Sequence, residues 1–372
     1  MNERLPTMTQ PDPADTAAPA APAATPESAD TADDTGTADA TAGPLARRRG
    51  APPAVLHRAA RALRGPASWR RGLLLAALAL LLGLLMALHA RIPGGTMNLR
   101  SLVETFLPWF GLPVLPLLAG ALWRRSASAL VALVLPVTVW LSLFGGLLTD
   151  KSRPGSDLTV ATHNVGAANP DPAGTARDLA ASGADLLALQ EITDAARPVY
   201  EAELAQTYPY RTTQGTVGLW SKLPLSDTRA VDIAMHPSRA LRTTVATGRG
   251  PLAVYVAHLG SVRVNPRAGM STAQRDAGAR ALAAAVEAEP AARVVVLGDL
   301  NGTVDDRAFG ALTDRLRSVQ EEAGNGFGFS WPADFPVARI DQILVRGVEP
   351  RSAWSLPATG SDHLPVAAGL AW

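Results

Sequence analysis

The sequence contains no cysteine in its 372 residues. This absence excludes thiolate metal sites, cysteine nucleophiles and disulfide bonds. Charged residues are scarce as well, at 18%, and they nearly cancel to a formal net charge of +1. The chain as a whole is therefore not a nucleic-acid-binding polycation. Hydrophobic residues, in contrast, make up 47% of the chain, and their distribution is too uneven for one compact body.

The first part of the chain has almost nothing to bury. Residues 1–46 are mainly Ala, Pro, Thr and Asp. Because this composition does not offset the entropy cost of ordering, we expect a disordered tail. Residues 47–71 carry eight arginines and no acidic residue. A basic segment before an apolar run is typical of the cytoplasmic side of a membrane helix, and a nucleic-acid-binding patch is the alternative interpretation.

Three apolar segments follow the arginines. They comprise residues 72–90, 105–123 and 127–148. Each has about the 20 residues that a helix needs to cross the hydrocarbon core. The second contains Pro108, Pro113 and Pro116, which neighbouring helices can accommodate. We therefore expect three transmembrane helices, with a re-entrant second segment as the alternative.

The placement of arginine predicts the orientation of these helices. Arg124 and Arg125 lie between the second and third segments, whereas the first external loop holds only Arg91 and Arg100. Because Lys and Arg stay on the cytoplasmic side, we expect the N-terminus inside and everything after the third helix outside. The short linker 149–157 would then hold the next domain close to the outer membrane surface. A re-entrant second segment would leave that domain on the cytoplasmic face instead.

Residues 158–372 have the size and pattern of one large α/β domain. Helical patterns cover 175–182, closed by Gly183, and 271–289, ended by Pro290. Short apolar runs predict strands at 158–165, 186–189, 218–221, 252–258, 294–297, 340–345 and 364–370. Polar side chains lie at the ends of these strands, where α/β enzymes place their chemistry.

These polar side chains are carboxylates, amides and histidines, a set suited to a divalent metal that acts on a phosphate. Asp299 and Asn301 are two residues apart, so an extended backbone would point both to one side. Asp341 and His363 are interpreted as a pair in which the carboxylate fixes the tautomer of the imidazole. The candidate residues are Asn164, Glu191, His258, Asp299, Asn301, Asp341, Asp362 and His363. We interpret His163 as structural, and Arg239 and Arg242 as surface charge.

The motifs GDLN (298–301), RID (339–341) and SDHLPV (361–366) occur in this order. Together they resemble the endonuclease/exonuclease/phosphatase superfamily, which contains DNase I-like nucleases, neutral sphingomyelinases and inositol polyphosphate 5-phosphatases. The resemblance covers residues 158–372. It implies an α/β fold of four layers, an α-β-β-α sandwich in which two packed mixed sheets are flanked by helices. It also implies Mg²⁺ as the cofactor, with Mn²⁺ as a substitute.

The resemblance assigns roles to the candidate residues. Glu191 would be the principal metal ligand, with Asn164 and Asp362 on the metal side. The catalytic residues would be His258, Asp299, Asn301, Asp341 and His363. One of Asp299 and Asn301 would orient or deprotonate the attacking water, and the other would hold a phosphoryl oxygen. One departure is Val217, which stands where the family often has an Asn, so the phosphate contacts typical of the nucleases are in doubt.

The order of membrane segments and domain further resembles the vancomycin/teicoplanin-resistance membrane proteins of the VanJ type. We expect a Mg²⁺-dependent phosphoesterase or pyrophosphatase in the cell membrane, acting on a lipid or lipid-linked cell-envelope substrate at the outer surface. One alternative is a membrane-tethered nuclease for extracellular nucleic acid, against which the near-neutral charge argues. Another is a non-catalytic binding module, which would predict a broken metal set. The sequence leaves the leaving group and the oligomeric state open.

Overall fold

The computed structural model describes residues 65–93, 98–265 and 269–372. The predicted disordered tail, 1–46, and most of the basic segment, 47–64, lie outside the described residues. Within them, the predicted α/β domain consists of two six-stranded sheets. The first sheet has the strand order β13-β14-β1-β2-β4-β3 and the second β11-β12-β10-β7-β6-β5, while β8 and β9 form a separate pair. The strands are β1 Leu158–Asn164, β2 Leu186–Gln190, β3 Tyr210–Gln214, β4 Val217–Ser221, β5 Leu225–Ala230, β6 Ala240–Thr247, β7 Gly250–His258, β8 Arg263–Asn265, β9 Gly269–Ser271, β10 Val294–Asp299, β11 Arg317–Ser318, β12 Asp341–Arg346, β13 Glu349–Ser355 and β14 Val366–Ala371.

Each large sheet is mixed, because one parallel pair lies among antiparallel neighbours. β1 pairs in parallel with β2 in the first sheet, and β7 pairs in parallel with β10 in the second. β10 is apolar on both faces up to Gly298, and every one of its residues is buried. This continuous burial is typical of a strand that is covered on both sides. The strands of the two parallel pairs, β1–β2 and β7–β10, are followed at their carboxyl ends by loops.

The hydrophobic core has three parts, which correspond to the interfaces of a four-layer sandwich. The largest lies between the two sheets and includes Val160 and Leu186 from the first sheet and Val254 and Val295 from the second. A second part lies between the outer face of the second sheet and helix Ala273–Glu287. The third covers the outer face of the first sheet. Its helices are Pro172–Ala181 and Arg197–Leu204. The predicted arrangement of two mixed sheets flanked by helices is confirmed.

The apolar region before this domain departs from the prediction of three spanning helices. Among the described residues, one helix, Ala127–Leu148, is long and apolar enough to cross a membrane. The second segment is a pair of helices, Leu99–Thr105 and Leu107–Trp123, bent by 73°. The first, Leu73–Ala87, has 15 residues, or about 22 Å at 1.5 Å per residue, which is shorter than a hydrocarbon core of about 30 Å. The prediction of three transmembrane helices is not confirmed.

The break in the second segment has a local cause. Pro108 stands at the first turn of the 3-10 helix Leu107–Gly111. Proline has no N–H for a preceding helix to use and is favoured where a new helix begins. The helix Leu99–Thr105 ends before it, and the chain changes direction.

The segment that precedes this break is joined to the α/β domain by buried polar groups. Ser101 Oγ donates to Asp306 Oδ2 at 2.9 Å and accepts from Arg275 Nη1 at 3.1 Å. Arg275 also lies 2.7 Å from Asp306 and is 1% exposed. Further along, Trp109 Nε1 donates to the carbonyl oxygen of Val337 at 2.7 Å. The bent segment is therefore packed directly on the domain.

Arg242 corrects a prediction, since it is 8% exposed and is not a surface charge. Its Nε and Nη2 donate to the two carboxylate oxygens of Glu289 at 2.8 and 2.9 Å. Tyr255 also donates to Glu289, at 2.9 Å. Burial by itself would raise the pKa of Glu289, but the hydrogen bonds from Arg242 and Tyr255 outweigh it and lower the pKa from 4.5 to about 2. The sequence shows only an arginine in a strand, because its partner lies 47 residues away.

Replacing Glu289 with Gln is expected to destabilise the protein at neutral pH. The pKa of Glu289 is lowered from 4.5 to about 2 in the folded state. The ionised carboxylate therefore stabilises the fold fully above about pH 4.5, and this stabilisation is lost as the pH falls through about 2. The shift corresponds to about 3 kcal/mol. Thermal unfolding of wild type and Glu289→Gln between pH 7 and pH 3 should therefore show a difference in Tm that narrows at low pH.

Glu287→Gln is the matched control for this experiment. Glu287 lies two residues earlier in the chain, its side chain is 58% exposed, and its ion pair is with Arg315. Surface substitutions of this kind change stability by about 0.5 kcal/mol or less. Equal Tm values for the two variants at pH 7 would contradict the assigned role of Glu289.

Candidate active site

The strand register brings the candidate residues of the second sheet into one row. Asp299, at the end of β10, is directly opposite His258 on β7 and Asp341 on β12. In the first sheet Asn164 ends β1 beside Gln190, the residue before Glu191. Because both sheets present these strand ends at the same edge of the sandwich, their polar side chains meet.

Hydrogen bonds and close approaches join the two sheets at this edge. Asn164 Nδ2 donates to Asp299 Oδ2 at 3.0 Å. His258 Nε2 lies 3.6 Å from Glu191 Oε1 and 3.6 Å from Asp299 Oδ2. His363 Nε2 lies 3.8 Å from the same Asp299 oxygen. Asp299 is thus the centre of the cluster, with four candidate residues around its Oδ2 atom: Asn164, His258, His363 and Asn301.

Glu191 and Asn301 are held in a backbone conformation that non-glycine residues seldom adopt. Their φ angles are 61° and 51°, in the left-handed region. Strain of this kind persists where surrounding contacts enforce it, and it is concentrated at functional sites. At Glu191 one such contact is the hydrogen bond from Ala167 N to Oε2 at 2.9 Å. The turn after each strand therefore aims a side chain into the cluster.

Asn301 reaches Asp299 by a different route from the predicted one. The two residues do not share one side of an extended strand, because the left-handed turn at Asn301 folds the chain back. Asn301 N donates to Asp299 Oδ1 at 2.8 Å, and its side-chain Nδ2 donates to Asp299 Oδ2 at 3.2 Å and to the carbonyl oxygen of Leu259 at 3.1 Å. The amide group of Asn301 therefore fixes the orientation of the Asp299 carboxylate.

Asp341 and His363 form the expected carboxylate–imidazole pair. Asp341 Oδ2 lies 2.8 Å from His363 Nδ1, and the hydroxyl of Ser330 donates to the same oxygen at 2.6 Å. With Nδ1 engaged, the Nε2 atom of His363 is turned toward Asp299. Ser330, which is fully buried, was missed in the sequence, where a single serine upstream of the RID motif carries no distinguishing pattern.

The charges in the cluster shift the pKa values of both partners. Burial lowers the pKa of His363, but the charge and hydrogen bond of Asp341 and the charge of Asp299 outweigh it and raise the pKa to about 10. Burial and the charge of Asp341 raise the pKa of Asp299. At neutral pH, His363 is therefore a cation in contact with two carboxyl groups.

His258 differs from His363 in the direction of its pKa shift. Burial lowers its pKa, against the charges of Asp299 and Glu191, so the imidazole is neutral. Neither of its ring nitrogens has a hydrogen-bond partner among the described residues. Arg239 adds to the lowering of the pKa of His258, and Arg239 Nε is also buried with no partner in the described part of the chain. Buried polar atoms in native proteins nearly always have a partner, so a water molecule, an ion or a ligand is expected beside these atoms. Arg239, interpreted from the sequence as surface charge, is thus a half-buried cation at the site.

Asp362 and His163 lie at the edge of this arrangement. Asp362 Oδ2 accepts a hydrogen bond from Trp331 Nε1 at 3.2 Å, and its assignment to the metal side stays a prediction. His163 Nε2 lies 2.9 Å from Thr359 Oγ1. Burial, with the charge of His363, lowers the pKa of His163 to about 3, so it is a neutral, hydrogen-bonded residue beneath the site.

The donor atoms suit a hard divalent cation on the Glu191 side of the cluster. Burial would raise the pKa of Glu191, but contacts led by the hydrogen bond from the N–H of Ala167 outweigh it, and the pKa is lowered. An ionised carboxylate is the ligand that Mg²⁺ prefers. One ligand atom each from Asp299, Asp341 and His363 also lies within 4.8 Å of the others. In that group, however, Asp341 Oδ2 and His363 Nδ1 are already hydrogen-bonded to each other, so these two atoms are not free to bind a metal.

The domain matches a known protein family. The family model described as the endonuclease/exonuclease/phosphatase family matches residues 161–363. A search of curated proteins gave no match.

Solved structures of low identity each match somewhat more than half of the chain. TDP2 from D. rerio, bound to a single-strand DNA product, has 20% identity and a TM-score of 0.49, and the match covers 58% of this chain and 99% of that one. A mannosyl-6-phosphatase from Bacteroides thetaiotaomicron has 14% identity and a TM-score of 0.47, with 58% and 100% covered. A conserved protein of unknown function from Enterococcus faecalis has 17% identity and a TM-score of 0.49, with 57% and 99% covered.

The family model spans both sheets and runs from β1 to His363. It includes the GDLN and RID motifs, the first three residues of the SDHLPV motif and every candidate residue named from the sequence. The chain belongs to the endonuclease/exonuclease/phosphatase family and is a metal-dependent hydrolase of phosphate esters.

Proposed function

We propose that this protein is a Mg²⁺-dependent phosphohydrolase that cleaves a phosphate ester or pyrophosphate of a lipid or lipid-linked cell-envelope substrate. The observation that carries the proposal is the direct packing of the apolar region on the catalytic domain. Trp109, in the bent segment, bonds to the carbonyl oxygen of Val337, four residues before Asp341. A site held this close to apolar helices favours a substrate that is itself anchored in a membrane, because its local concentration is high there.

In this proposal Asp299 orients and deprotonates the attacking water. Its carboxylate is fixed by Asn164 and by the turn at Asn301, so it presents a defined acceptor to the reacting centre. Positioning of this kind converts an encounter in solution into an in-line attack within one site. Asn301 acts through Asp299 and is a positioning residue.

The positive and neutral groups around Asp299 are suited to the phosphate. His363, oriented by Asp341 and Ser330, would donate from Nε2 to a phosphoryl oxygen. Arg239 would bring a second cation, and neutral His258 would donate a hydrogen bond from its ring N–H to the leaving oxygen. Preorganised donors of this kind stabilise the charge that develops in the transition state.

Glu191, Asn164 and Asp362 are the residues that would hold Mg²⁺, or Mn²⁺ in its place. When bound, the cation would neutralise charge on the phosphoryl oxygens. Glu191 fits this role best, because its carboxylate is ionised and its strained turn fixes its direction.

We place the protein in the cell membrane with its N-terminus inside and its catalytic domain outside, in the manner of the VanJ-type resistance proteins. One helix of sufficient length and apolarity and the arginine distribution support this arrangement. A role in antibiotic resistance would follow if the substrate were a cell-wall intermediate.

A nuclease is the competing function, since nucleases also belong to this family. It would need a positive groove that tracks the phosphate backbone. The net charge of +1 and Val217 in place of the Asn argue against it. Nucleic acid is therefore not the proposed partner.

The test is phosphate release by the full-length protein in lipid nanodiscs. With Mg²⁺, we expect release from an isoprenyl diphosphate or from phosphatidic acid, loss of activity on chelation by EDTA, and no cleavage of single-stranded or duplex DNA. Cleavage of DNA without release from any lipid phosphate would favour the nuclease. Inactivity on the whole panel would refute the proposal.

A further inference from the structure

A cavity of about 450 Å³ lies where the apolar helices meet the catalytic domain. One wall comes from helices Leu107–Trp123 and Ala127–Leu148, and the other comes from the loop that precedes Ser330. The volume lies within the range of small-molecule sites, about 300–1,000 Å³. The lining residues that the argument uses are Trp109, Leu115, Val137, Trp140, Phe327 and Phe329.

Four aromatic rings form the inner wall of this cavity. Trp109 stacks on Phe329 with ring centroids 5.6 Å apart, and Phe329 stacks on Phe327 at 5.2 Å. Trp140 lies 6.3 Å from Phe327. These rings come from three separate parts of the chain, so the wall exists only when the apolar helices are packed on the domain.

The polar atoms of the two tryptophans are already engaged. Trp109 Nε1 donates to the carbonyl oxygen of Val337, and Trp140 Nε1 donates to that of Pro108, both at 2.7 Å. The indoles therefore offer apolar ring surface to a ligand and no free N–H. A polar ligand would lose its hydrogen bonds with water on entering such a space, whereas a hydrocarbon chain would not.

The aromatic wall continues into the active site along the chain. Phe327 and Phe329 line the cavity, and the next residue, Ser330, is fully buried and donates to Asp341 Oδ2 at 2.6 Å. Asp341 in turn holds His363 at 2.8 Å. The cavity and the catalytic pair are thus joined through consecutive residues of one loop.

The outer rim of the cavity indicates where a ligand enters. Leu112, Leu115 and Leu141 line it and are 54%, 64% and 49% exposed. Leu141 belongs to the helix that is long enough to cross a membrane. Large exposed apolar side chains on such a helix are stable in contact with lipid chains. The rim therefore opens toward hydrocarbon.

We propose that this cavity binds the hydrocarbon chain of the substrate while the phosphate at the end of that chain reaches Asp299 and His363. The inference rests on the proposed function and makes the substrate class more definite, as a phosphate carried on a long alkyl or prenyl chain. The occupant is a lipid chain and not a second copy of the protein.

The test compares two phosphate monoesters that differ in chain length, hexyl phosphate and hexadecyl phosphate. Full-length protein in nanodiscs with Mg²⁺ is expected to have a kcat/KM at least about 10-fold higher for hexadecyl phosphate, because burial of each methylene is favourable by about 0.8 kcal/mol. Val137→Trp, which fills the cavity, is expected to reduce that preference about 10-fold.

Val134→Trp is the matched control. Val134 and Val137 belong to the same helix, Ala127–Leu148. Val134 is 62% exposed and does not line the cavity. The control also corrects for partition of hexadecyl phosphate into the bilayer, which is the same for both variants. An unchanged chain preference in Val137→Trp, or an equal loss in Val134→Trp, would overturn the proposal.

A second measurement separates the cavity from catalysis. Hexadecanol with a diazirine in its chain, which has no phosphate, is expected on irradiation to label the peptide containing Phe327 and Phe329 in wild type and Val134→Trp, and not in Val137→Trp. Labelling without hydrolysis of either ester or of isoprenyl diphosphate would uphold the cavity and refute the proposed function. Hydrolysis of both esters at equal rates without labelling would refute the cavity alone. A dimer in nanodiscs that Val137→Trp disrupts, without labelling, would place a second copy there and refute the lipid chain.

Discussion

Asp299→Asn is expected to lower kcat of the phosphohydrolase by about 10³-fold, with a smaller change in KM. A general base contributes about 10²–10⁴-fold, and an amide does not accept the proton of the attacking water. The substitution also places an N–H₂ group near the amide donors of Asn164 and Asn301, which now bond to Asp299 Oδ2. Steady-state phosphate release from the best lipid substrate measures the effect.

Asp314→Asn is the control for the chemical change alone, because Asp314 is an exposed carboxylate on the same domain. Its kcat should equal that of wild type. Circular dichroism and Tm should show that Asp299→Asn protein is folded. A folded Asp299→Asn variant with kcat within about threefold of wild type would remove Asp299 from the role of base.

The sequence predicted most of the interior strands, but it missed the edge strands β3 and β5 and the interior strand β6. β1, β7 and β10 are buried along most of their length, and β7 and β10 are in addition apolar runs, which give a strong pattern. β3 and β5 lie at the edges of their sheets and are largely exposed. Their sequences, YRTTQ and LSDTRA, have no apolar alternation to detect.

The membrane prediction illustrates a second limit. Composition identified 105–123 as apolar, and neighbouring helices were expected to accommodate its prolines. Pro108 instead begins a new helical segment and leaves a bend of 73°. Hydropathy reports how favourable a segment is in lipid. It does not report whether the segment is one straight helix.

Site residues that belong to recognisable motifs could be predicted from the sequence. Site residues whose role depends on a partner far away in the sequence could not. Asp299, Asp341 and His363 stand in recognisable motifs, and the structure brings them together. Ser330 and Arg239 carry no such pattern. Ser330 matters because its hydroxyl donates a hydrogen bond to Asp341, and Arg239 matters because it is a half-buried cation whose charge acts on His258. These relations arise only when separate strands are paired.

Glu191→Gln is expected to weaken Mg²⁺ binding by about 100-fold and to make activity at low millimolar Mg²⁺ nearly undetectable. The substitution keeps the size of the side chain and removes the charge that a hard cation requires. The left-handed turn at Glu191 and the hydrogen bond from Ala167 hold this one carboxylate in place. A titration of phosphate release against Mg²⁺ measures the change.

A binding measurement that does not depend on turnover accompanies the titration. Mg²⁺ at 100 times its Kd stabilises the folded protein by about 2.7 kcal/mol, so wild type should show a clear rise in Tm that Glu191→Gln lacks. Asp194→Asn is the matched control, because Asp194 lies three residues away and its side chain is fully exposed. It should keep both the Tm rise and the Mg²⁺ titration of wild type. If Glu191→Gln keeps them too, the metal is held elsewhere, and the buried group of Asp299, Asp341 and His363 becomes the site to test.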